Sequence, residues 1–429
     1  MNVDDYILIS VDDHVIEPPD MFERHLPVRY ADRAPRIEES PTGAHVWRLG
    51  DETVPNVALN AVAGRPKSEY GLEPQALDEI RPGCWQVDER VKDMSAGGVL
   101  GSMNFPSFPG FAARRFALDD REFGLALVRA YNDWHIDEWC GAHPARFIPM
   151  ALPVIWDQEA CAEEVRRCAA KGNHSLTFTE NPHALGMPSF HDESWNPLWE
   201  ALCDTGTVLS IHLGSSGQLA IPAPDSPPDV MITLQPMNIC SAAADLLWSP
   251  TLKRYPDLRI ALSEGGTGWI PYFLDRIDRT YEMHREWTGQ DFGDELPSDV
   301  FRRHFLTCFI SDPPGVAMRH DIGVDNIAWE ADYPHSDSMW PDAPEVLHEV
   351  FTRYGVTDDE ANLITHQNAM RWYSFDPFAH IPEEQCTVGA LRASVAGHDV
   401  SIRAMSHREH DPATPSSFAV FDEREQEPV

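Results

Sequence analysis

The segment T-V-L-S-I-H-L-G-S-S-G at residues 207–217 shows the pattern from which the fold can be predicted. A short run of apolar and β-branched residues ends in His212 and gives way to small residues, as in a buried strand that ends at an open surface. Helical periodicity precedes this run at 195–204 and returns after it at 238–248. Such alternation is typical of a parallel sheet whose strands are connected by crossover helices.

The same alternation extends along most of the chain and predicts eight strands. The strands are expected at 6–11, 99–104, 147–152, 175–178, 208–212, 259–263, 305–310 and 326–330. Helices are expected at 119–143, 157–171, 195–204, 238–248, 269–285, 343–354 and 357–373, the last of which begins with a capping box, T-D-D-E. The predicted fold class is therefore α/β, a (β/α)8 TIM barrel, which typically takes about 250 residues and accepts long insertions.

We predict one barrel domain over residues 1–376 and a C-terminal extension over 377–429. Residues 17–90 form a long insertion after strand 1, because they are too numerous for a β/α loop and are rich in Pro, Gly and charge. We interpret this insertion as a cover over the barrel mouth, either a lid or a dimer arm. The C-terminal tail is polar and loses periodicity, so it is predicted to be flexible or to form an oligomer arm.

The charge balance restricts the partners of the chain. Acidic residues number 69 and Lys plus Arg number 33, and a surface this negative repels nucleic-acid phosphates and anionic lipids. No apolar run comes near the roughly 20 residues of a membrane span. The start, MNVDDYILIS, lacks signal-peptide features, and the eight cysteines form no C-x-x-C pair. We expect a cytoplasmic protein with no nucleic-acid and no membrane partner.

Four side chains of metal-binding type are predicted at strand ends. Asp12 and His14, in S-V-D-D-H at 10–14, are two positions apart and so share one face of strand 1. His212 ends the fifth strand and Asp332 ends the eighth. Taken singly, D-x-H is more often a surface turn and His212 more often a core histidine, while Asp332 could equally well cap the helix that follows it.

Taken together, these four residues lie where TIM-barrel active sites form, at the carboxyl ends of the strands. Two imidazoles and two carboxylates suit one divalent metal ion. We predict zinc as the first choice, with Mn²⁺ and Fe²⁺ as alternatives.

Four segments carry a family resemblance. They are S-V-D-D-H-V-I-E-P-P at 10–19, I-H-L-G-S-S-G at 211–217, L-S-E-G-G-T-G-W-I-P at 262–271 and A-D-Y-P-H-S-D at 331–337. Over residues 6–376 the chain resembles the branch of the amidohydrolase superfamily that contains aminocarboxymuconate-semialdehyde decarboxylase and γ-resorcylate decarboxylase. The resemblance implies the paired first-strand ligands Asp12 and His14, the fifth-strand ligand His212 and the eighth-strand acid Asp332.

The sixth-strand motif departs from this branch. Its known decarboxylases usually present a proton-handling histidine there, whereas this chain has Glu264 in S-E-G-G. Glu264 could be a base, a further metal ligand or the binder of a substrate amine, or it could accept hydrogen bonds from the backbone of the Gly-rich turn that follows. His335, three residues after Asp332, is a candidate proton carrier or an orienting group.

The segment T-E-N-P-H at 179–183 follows the fourth strand. Glu180, Asn181 and His183 are candidate substrate-binding residues, although Asn-Pro is also a common turn former.

These observations favour an enzyme. The first hypothesis is a metal-dependent hydrolase that uses a metal-activated water on an amide, lactone, amidine or peptide-like small molecule, with Asp332, Glu264 and His335 as catalytic residues. The alternative is a non-oxidative decarboxylase, a carbon–carbon lyase, and a remote alternative is a catalytically inactive binding protein. The insertion and the resemblance both predict a homodimer.

Overall fold

The computed structural model describes residues 1–55, 57–71 and 73–408, and the predicted strands can be compared with it directly. Within these residues the strands are β1 (Ile9–His14), β2 (Arg36–Glu39), β3 (His45–Leu49), β4 (Glu52–Val54), β5 (Gly101–Phe105), β6 (Phe147–Ile148), β7 (Ser175–Thr179), β8 (Val208–His212), β9 (Ile260–Ser263), β10 (Phe305–Phe309) and β11 (Ile327–Trp329). All eight predicted strands are present, as β1 and β5–β11. The prediction of an α/β protein with parallel strands is confirmed.

The eight strands form two parallel sheets that meet at both edges. One sheet has the order β1-β5-β6 and the other β11-β10-β9-β8-β7. A parallel bridge between Ala151 and Leu176 connects β6 to β7. At the other edge, the Asp332 N–H donates to the Asp12 carbonyl at 2.8 Å and the His14 N–H donates to the Tyr333 carbonyl at 2.7 Å. The carboxyl ends of all eight strands therefore converge on one mouth.

The helices lie between the strands, mostly where sequence periodicity predicts them. They are α1 (Met21–His25), α2 (Val87–Ala96), α3 (Arg121–Asp133), α4 (Gln158–Ala169), α5 (Asn196–Thr205), α6 (Pro228–Leu234), α7 (Pro236–Trp248), α8 (Thr251–Arg254), α9 (Ile270–Thr288), α10 (Pro297–His304), α11 (Pro313–Ala317), α12 (Arg319–Ile322), α13 (Ala343–Arg353), α14 (Asp358–Asn362), α15 (Asn368–Tyr373) and α16 (Val388–Ser394). The capping box predicted at 357–360 is present, since the Glu360 N–H donates to Thr357 Oγ1 and the Thr357 N–H to Glu360 Oε2. π-helical turns at Trp134–Cys140 and Leu363–Gln367 interrupt the first and last predicted helices.

Helices α6 and α7 form an apolar stretch that sequence analysis did not anticipate. Together they span Pro228–Trp248, 21 residues, and by length and composition alone the stretch could cross a membrane. However, Ile239, Ala243 and Leu246 of α7 are buried in the core of the protein. These contacts are those of a helix that packs on the barrel.

The region after β1 carries an additional small sheet and a segment that contacts the barrel mouth. Strands β2, β3 and β4 form an antiparallel sheet, which sequence analysis did not predict. Residues 57–65, which we name the roof segment, lie against the loop that follows β11. The N–H groups of Val62 and Ala63 donate to the Pro334 carbonyl at 2.9 and 3.0 Å, and Asn60 Nδ2 donates to Ser336 Oγ at 3.1 Å.

Residues 398–408, which we name the strap, pack on the region after β1 in the same chain. The Arg403 N–H donates to the Gly64 carbonyl at 2.9 Å, and Arg65 donates to Ser406 Oγ at 2.6 Å. Arg408 pairs with Asp78 at 2.7 Å. The rest of the predicted C-terminal tail, residues 409–429, lies outside the described residues.

Candidate active site

The strand ends bring five ionisable side chains together in the barrel mouth. The pairing of β1 with β5 shifts by one residue between Ser10 and Asp13, a bulge of the kind that redirects side chains next to active sites. Asp12 and His14 then both lie in the last half of β1. His212 is the last residue of β8, Glu264 follows β9 directly, and Asp332 comes three residues after β11.

The donor atoms of these five residues form a ring. Asp12 Oδ1 lies 3.5 Å from His14 Nε2, and His14 Nε2 lies 3.2 Å from Asp332 Oδ1. On the other side, Asp12 Oδ2 lies 3.4 Å from His212 Nε2, and His212 Nε2 lies 3.5 Å from Glu264 Oε2. Glu264 and Asp332 close the ring, because their donor atoms lie within 4.8 Å of each other. We refer to Asp12, His14, His212, Glu264 and Asp332 as the donor ring.

The donor ring is buried, and several of its polar atoms have no hydrogen-bond partner in the described residues. Asp12, His14, His212 and Asp332 are at most 1% exposed. Within the described part of the chain, both Asp12 carboxylate oxygens, His14 Nε2, His212 Nε2 and Asp332 Oδ1 have no hydrogen-bond partner. Buried polar atoms without partners are costly, and a cation among them removes that cost. The residues therefore fit a divalent metal ion.

The protonation of His212 also suits a metal. Its Nδ1 lies 2.6 Å from the carbonyl oxygen of Leu213, so Nδ1 carries the proton and donates it. The lone pair of Nε2 then faces Asp12 and Glu264. Metal-binding histidines usually fix their tautomer through such a bond of the second nitrogen.

Burial perturbs the acid–base properties of the ring in the absence of a cation. Burial, with the charges of Glu264 and Asp13 next in importance, raises the pKa of Asp12 well above its usual range. Burial and then Asp332 raise the pKa of Glu264 to about 8. Burial lowers the pKa of His14 well below its usual range. These pKa shifts indicate that no positive charge within the ring offsets the burial of its carboxylates.

Two of the ring residues have left-handed backbone conformations. The φ angles of Glu264 and Asp332 are 55° and 52°. Non-glycine residues in this region cost about 1–3 kcal/mol each and are concentrated at functional sites. The Glu264 N–H donates to Glu330 Oε1 at 3.1 Å, and Glu330 is itself fully buried. The fold thus holds Glu264 in a conformation that directs its side chain into the mouth.

His335 lies beside the ring. Its Nδ1 is 3.0 Å from Asp332 Oδ1, and its ring stacks on His14 with centroids 3.7 Å apart. Its Nε2 is buried and has no partner among the described residues. Burial outweighs the opposing charge of Glu264 and lowers the pKa of His335 to about 4. His335 is thus neutral near pH 7, with its Nδ1 beside the Asp332 carboxylate and its Nε2 available to take up a proton.

Aromatic residues flank the ring, and sequence analysis did not single them out. Phe111 stacks on His212 at 3.9 Å and 28°, and it also contacts His14. Phe105, the last residue of β5, packs edge-on against His212 at 4.6 Å. Phe105 could have been found from its position at a strand end, whereas Phe111 lies in the loop after β5 and gives no such signal. These rings form an apolar wall beside the candidate metal ligands.

The contacts of the three candidates after β7 are with neighbouring loops. The Glu180 carboxylate accepts hydrogen bonds from Ser215 Oγ, from the Ser216 N–H at 2.8 Å and from Ser216 Oγ at 2.7 Å. Asn181 caps the helical turn that follows it, and His183 is exposed. In the described residues no hydrogen bond or ion pair joins these side chains to the ring. Their contacts support the loop that follows His212.

A buried polar network supports the loop that carries Asp332. Asp93 of α2 accepts hydrogen bonds from Tyr333 Oη at 2.6 Å, from Arg81 Nη2 at 2.6 Å and from His398 Nε2 at 2.7 Å. Tyr333 directly follows Asp332. Sequence analysis missed this network because its members are far apart in the chain and have no motif in common.

Comparisons with known proteins agree with this geometry. The chain matches the model of the Amidohydrolase family over residues 41–375. It is similar to γ-resorcylate decarboxylase of Rhizobium sp. (strain MTP-10005), with 24% identity over 302 residues that cover 63% of this chain and 85% of the relative.

Solved structures give the same result for the fold. Amidohydrolase map2389c from Mycobacterium avium subsp. paratuberculosis K-10 has a TM-score of 0.67 at 21% identity, covering 86% of this chain and 98% of that one. 5-Carboxyvanillate decarboxylase from Novosphingobium aromaticivorans DSM 12444, in complex with manganese and 4-hydroxy-3-methoxy-5-nitrobenzoic acid, has a TM-score of 0.59 at 17% identity, covering 87% and 99%. The chain belongs to the amidohydrolase family, in the branch of aminocarboxymuconate-semialdehyde decarboxylase and γ-resorcylate decarboxylase.

Proposed function

We propose that the protein is a metal-dependent, non-oxidative decarboxylase of a small aromatic acid. The observation that carries this proposal is the position of His335, whose Nδ1 lies 3.0 Å from Asp332 Oδ1 in the donor ring and whose Nε2 is buried without a partner among the described residues. A decarboxylase of this kind needs a metal and a proton donor, and the sixth strand offers Glu264 where a histidine would be expected. His335 supplies an imidazole from the eighth strand instead. Sequence analysis favours a hydrolase, whereas the position of His335 favours a lyase.

The comparisons support the same reaction class. The curated relative is named a γ-resorcylate decarboxylase, and the similarity covers 85% of its length. One structural relative is a 5-carboxyvanillate decarboxylase in complex with a substituted benzoic acid. We extend from these names only the substrate class, a small aromatic carboxylic acid.

The donor ring would hold the metal through Asp12, His14, His212 and Asp332. When bound, the metal supplies positive charge for a substrate carboxylate and an adjacent oxygen. No Lys or Arg forms an ion pair with the ring in the parts of the chain that are described. Phe111 and Phe105 provide an apolar wall against which an aromatic ring can pack.

His335 supplies the proton for the reaction. The bond between the substrate's ring carbon and its carboxylate breaks, CO₂ leaves, and the electron pair stays on that carbon. The carbon then takes a proton from His335 Nε2. An anionic substrate raises the pKa of a neighbouring imidazole, so binding counteracts the effect of burial on His335. The Asp332 carboxylate, 3.0 Å from Nδ1, also favours the protonated form of His335.

For the metal we propose Mn²⁺, with Zn²⁺, the first choice from sequence, as the alternative. The structural relative contains manganese, and the ring is rich in carboxylates, which suit Mn²⁺ better than Zn²⁺. Elemental analysis of protein purified without chelator distinguishes the two.

A hydrolase is the second candidate function, and Glu264 is the observation that favours it. A carboxylate at the sixth strand suits a neutral or amine-bearing substrate such as an amide, lactone, amidine or peptide-like molecule. In that case Asp332 would take a proton from the attacking water and return it to the leaving group.

The experiment that tests the proposal uses a panel of hydroxybenzoates and a panel of amides and lactones in ¹⁸O-labelled water. The decarboxylase releases CO₂ and leaves no solvent oxygen in the organic product. A hydrolase must incorporate solvent oxygen into its product. Incorporation of ¹⁸O into the product without release of CO₂ would refute the lyase.

We also propose a homodimer in the cytoplasm and a single barrel domain over 1–376 with the insertion at 17–90 covering its mouth. The contacts of the roof segment with Pro334 and Ser336 support this cover, and all eight cysteines are free. Light scattering should give about twice the chain mass of 48.3 kDa. A monomer at micromolar concentrations would contradict the dimer.

A further inference from the structure

We propose that Glu264 is a fifth protein ligand of the metal, so that three carboxylates and two imidazoles hold the ion. This inference rests on the metal centre of the proposed function. It assigns Glu264 to metal binding, in preference to acid–base catalysis or recognition of a substrate amine.

The spacing of donor atoms is the first argument. Donors about 2.1 Å from one ion lie about 3.0–3.5 Å from their neighbours around it. Glu264 Oε2 is 3.5 Å from His212 Nε2, and Asp12 is 3.4 Å from the same nitrogen. Glu264 therefore stands in the same relation to His212 as an expected ligand does.

The position of Glu264 in the ring is the second argument. Asp12, His14, His212 and Asp332 form an incomplete ring, open between His212 and Asp332. Glu264 lies in that opening, with donor atoms within 4.8 Å of those of His14 and Asp332. Its side chain is 12% exposed, so it closes the ring on the side towards the mouth.

The Gly-rich turn after Glu264 does not occupy its carboxylate. Asp312, which follows β10, accepts the N–H groups of Thr267 and Gly268, each at 2.5 Å, and the hydroxyl of Thr267 at 3.1 Å. A Cβ at Gly268 would lie 2.9 Å from an Asp312 oxygen, which explains the glycine. No hydrogen bond from this turn to the Glu264 side chain occurs in the described structure. For Thr267 and Gly268, the acceptor is therefore Asp312 and not Glu264.

The backbone of Glu264 is the third argument. Its φ of 55° is unfavourable for a residue with a side chain, and the bond from its N–H to the buried Glu330 holds it there. A carboxylate held in a fixed position is well suited to bind a metal ion. A group that contacts a substrate throughout a reaction needs more freedom to move.

A fifth donor that is a third carboxylate alters metal selectivity. Carboxylates favour Mn²⁺ relative to imidazoles, which suit Zn²⁺. Loss of the Glu264 charge should therefore weaken Mn²⁺ binding more than Zn²⁺ binding.

The test measures metal affinity and needs no substrate. The chelator-treated full-length protein is titrated with Mn²⁺ and with Zn²⁺ against a fluorescent metal indicator, as wild type and as Glu264→Gln. Glu264→Gln is expected to weaken Mn²⁺ binding at least tenfold, since even residues that only orient metal ligands contribute about 10–100-fold. The ratio of Mn²⁺ to Zn²⁺ affinity should fall. The electron paramagnetic resonance spectrum of bound Mn²⁺ should also change.

Two further variants keep the test decisive. Glu17→Gln is the matched control, because Glu17 is a buried carboxylate after β1 that binds the N–H groups of Ser107 and Phe108. It should bind metal as wild type does. Glu264→Asp keeps the charge but shortens its reach, so it should also weaken Mn²⁺ binding, and it serves if Glu264→Gln fails to fold.

The outcomes separate the two proposals. Unchanged Mn²⁺ affinity in folded Glu264→Gln or Glu264→Asp, with altered kcat or KM, overturns the fifth ligand and leaves the proposed function in place. Failure of the wild type to bind either ion overturns the metal centre itself.

Discussion

Replacement of Asp93 by alanine should destabilise the protein by about 3–5 kcal/mol, the usual cost of removing one partner from a buried ion pair. Asp93 is 1% exposed, and Arg81 is 7% exposed. Burial alone would raise the pKa of Asp93, but the hydrogen bonds and charge of Arg81 outweigh it and lower that pKa. Without Asp93, the Arg81 guanidinium stays buried, and the Tyr333 hydroxyl loses its 2.6 Å acceptor.

Urea unfolding at pH 7, followed by tryptophan fluorescence, measures this change. Asp88→Ala is the matched control on the same helix, because Asp88 pairs with His143 at 2.8 Å but its side chain is 80% exposed. An exposed pair contributes about 0–1 kcal/mol, so the control should lose little. A loss below about 1 kcal/mol for Asp93→Ala would show that the buried network does not hold α2 and the Tyr333 loop together.

Three further predictions concern the metal, the proton and pH. His212→Ala should lose nearly all bound metal by elemental analysis, and full metal content would refute the role of His212. Asp332→Asn should lose on the order of 10² to 10⁴ in kcat while keeping most of the metal, because an amide can bind through oxygen but lacks the negative charge that stabilises a protonated His335; equal losses of metal and activity would assign Asp332 to binding alone. Burial lowers the pKa of His135 from 6.5 to about 3. Between these two pH values the unfolded chain binds a proton at His135 that the folded chain does not. The free energy of unfolding therefore decreases as pH falls below about 6.5. His135→Gln should therefore gain about 2 kcal/mol relative to wild type between pH 7 and pH 5 in urea unfolding, and a constant difference would refute this.

The barrel strands could be predicted from sequence because each is a short, fully buried apolar run. β8 matches its prediction of 208–212, and β9 differs by one residue at its start. β1 ends three residues later than predicted, because His14 pairs with Phe105 and with the carbonyl of Tyr333. The ends of these strands are set by pairing with strands that are distant in the chain. Sequence periodicity does not encode that pairing.

The strands β2 to β4 could not be predicted for a related reason. Residues of β2 such as Arg36 and Glu39 are exposed, so the alternation of buried and exposed side chains is weak. Their pairing depends on contacts elsewhere in the chain.

Most candidate site residues could be named from sequence because strand ends in a barrel converge. Position alone led to Asp12, His14, His212 and Asp332, and their proximity supports that inference. Contacts between distant residues could not be found in this way. Asp312 and the turn it caps are 44 or 45 residues apart, and Asp93 and Tyr333 are 240 residues apart.

The strap has a consequence for the order of events during synthesis. Its residues, 398–408, leave the ribosome after Asp332, the last of the proposed ligands in the chain. At about 5–20 residues per second, some 3–13 seconds separate the two. Throughout that interval the roof segment lacks its bonds to Arg403 and Ser406. An ion that binds in this interval would therefore reach the ring before its cover is fastened.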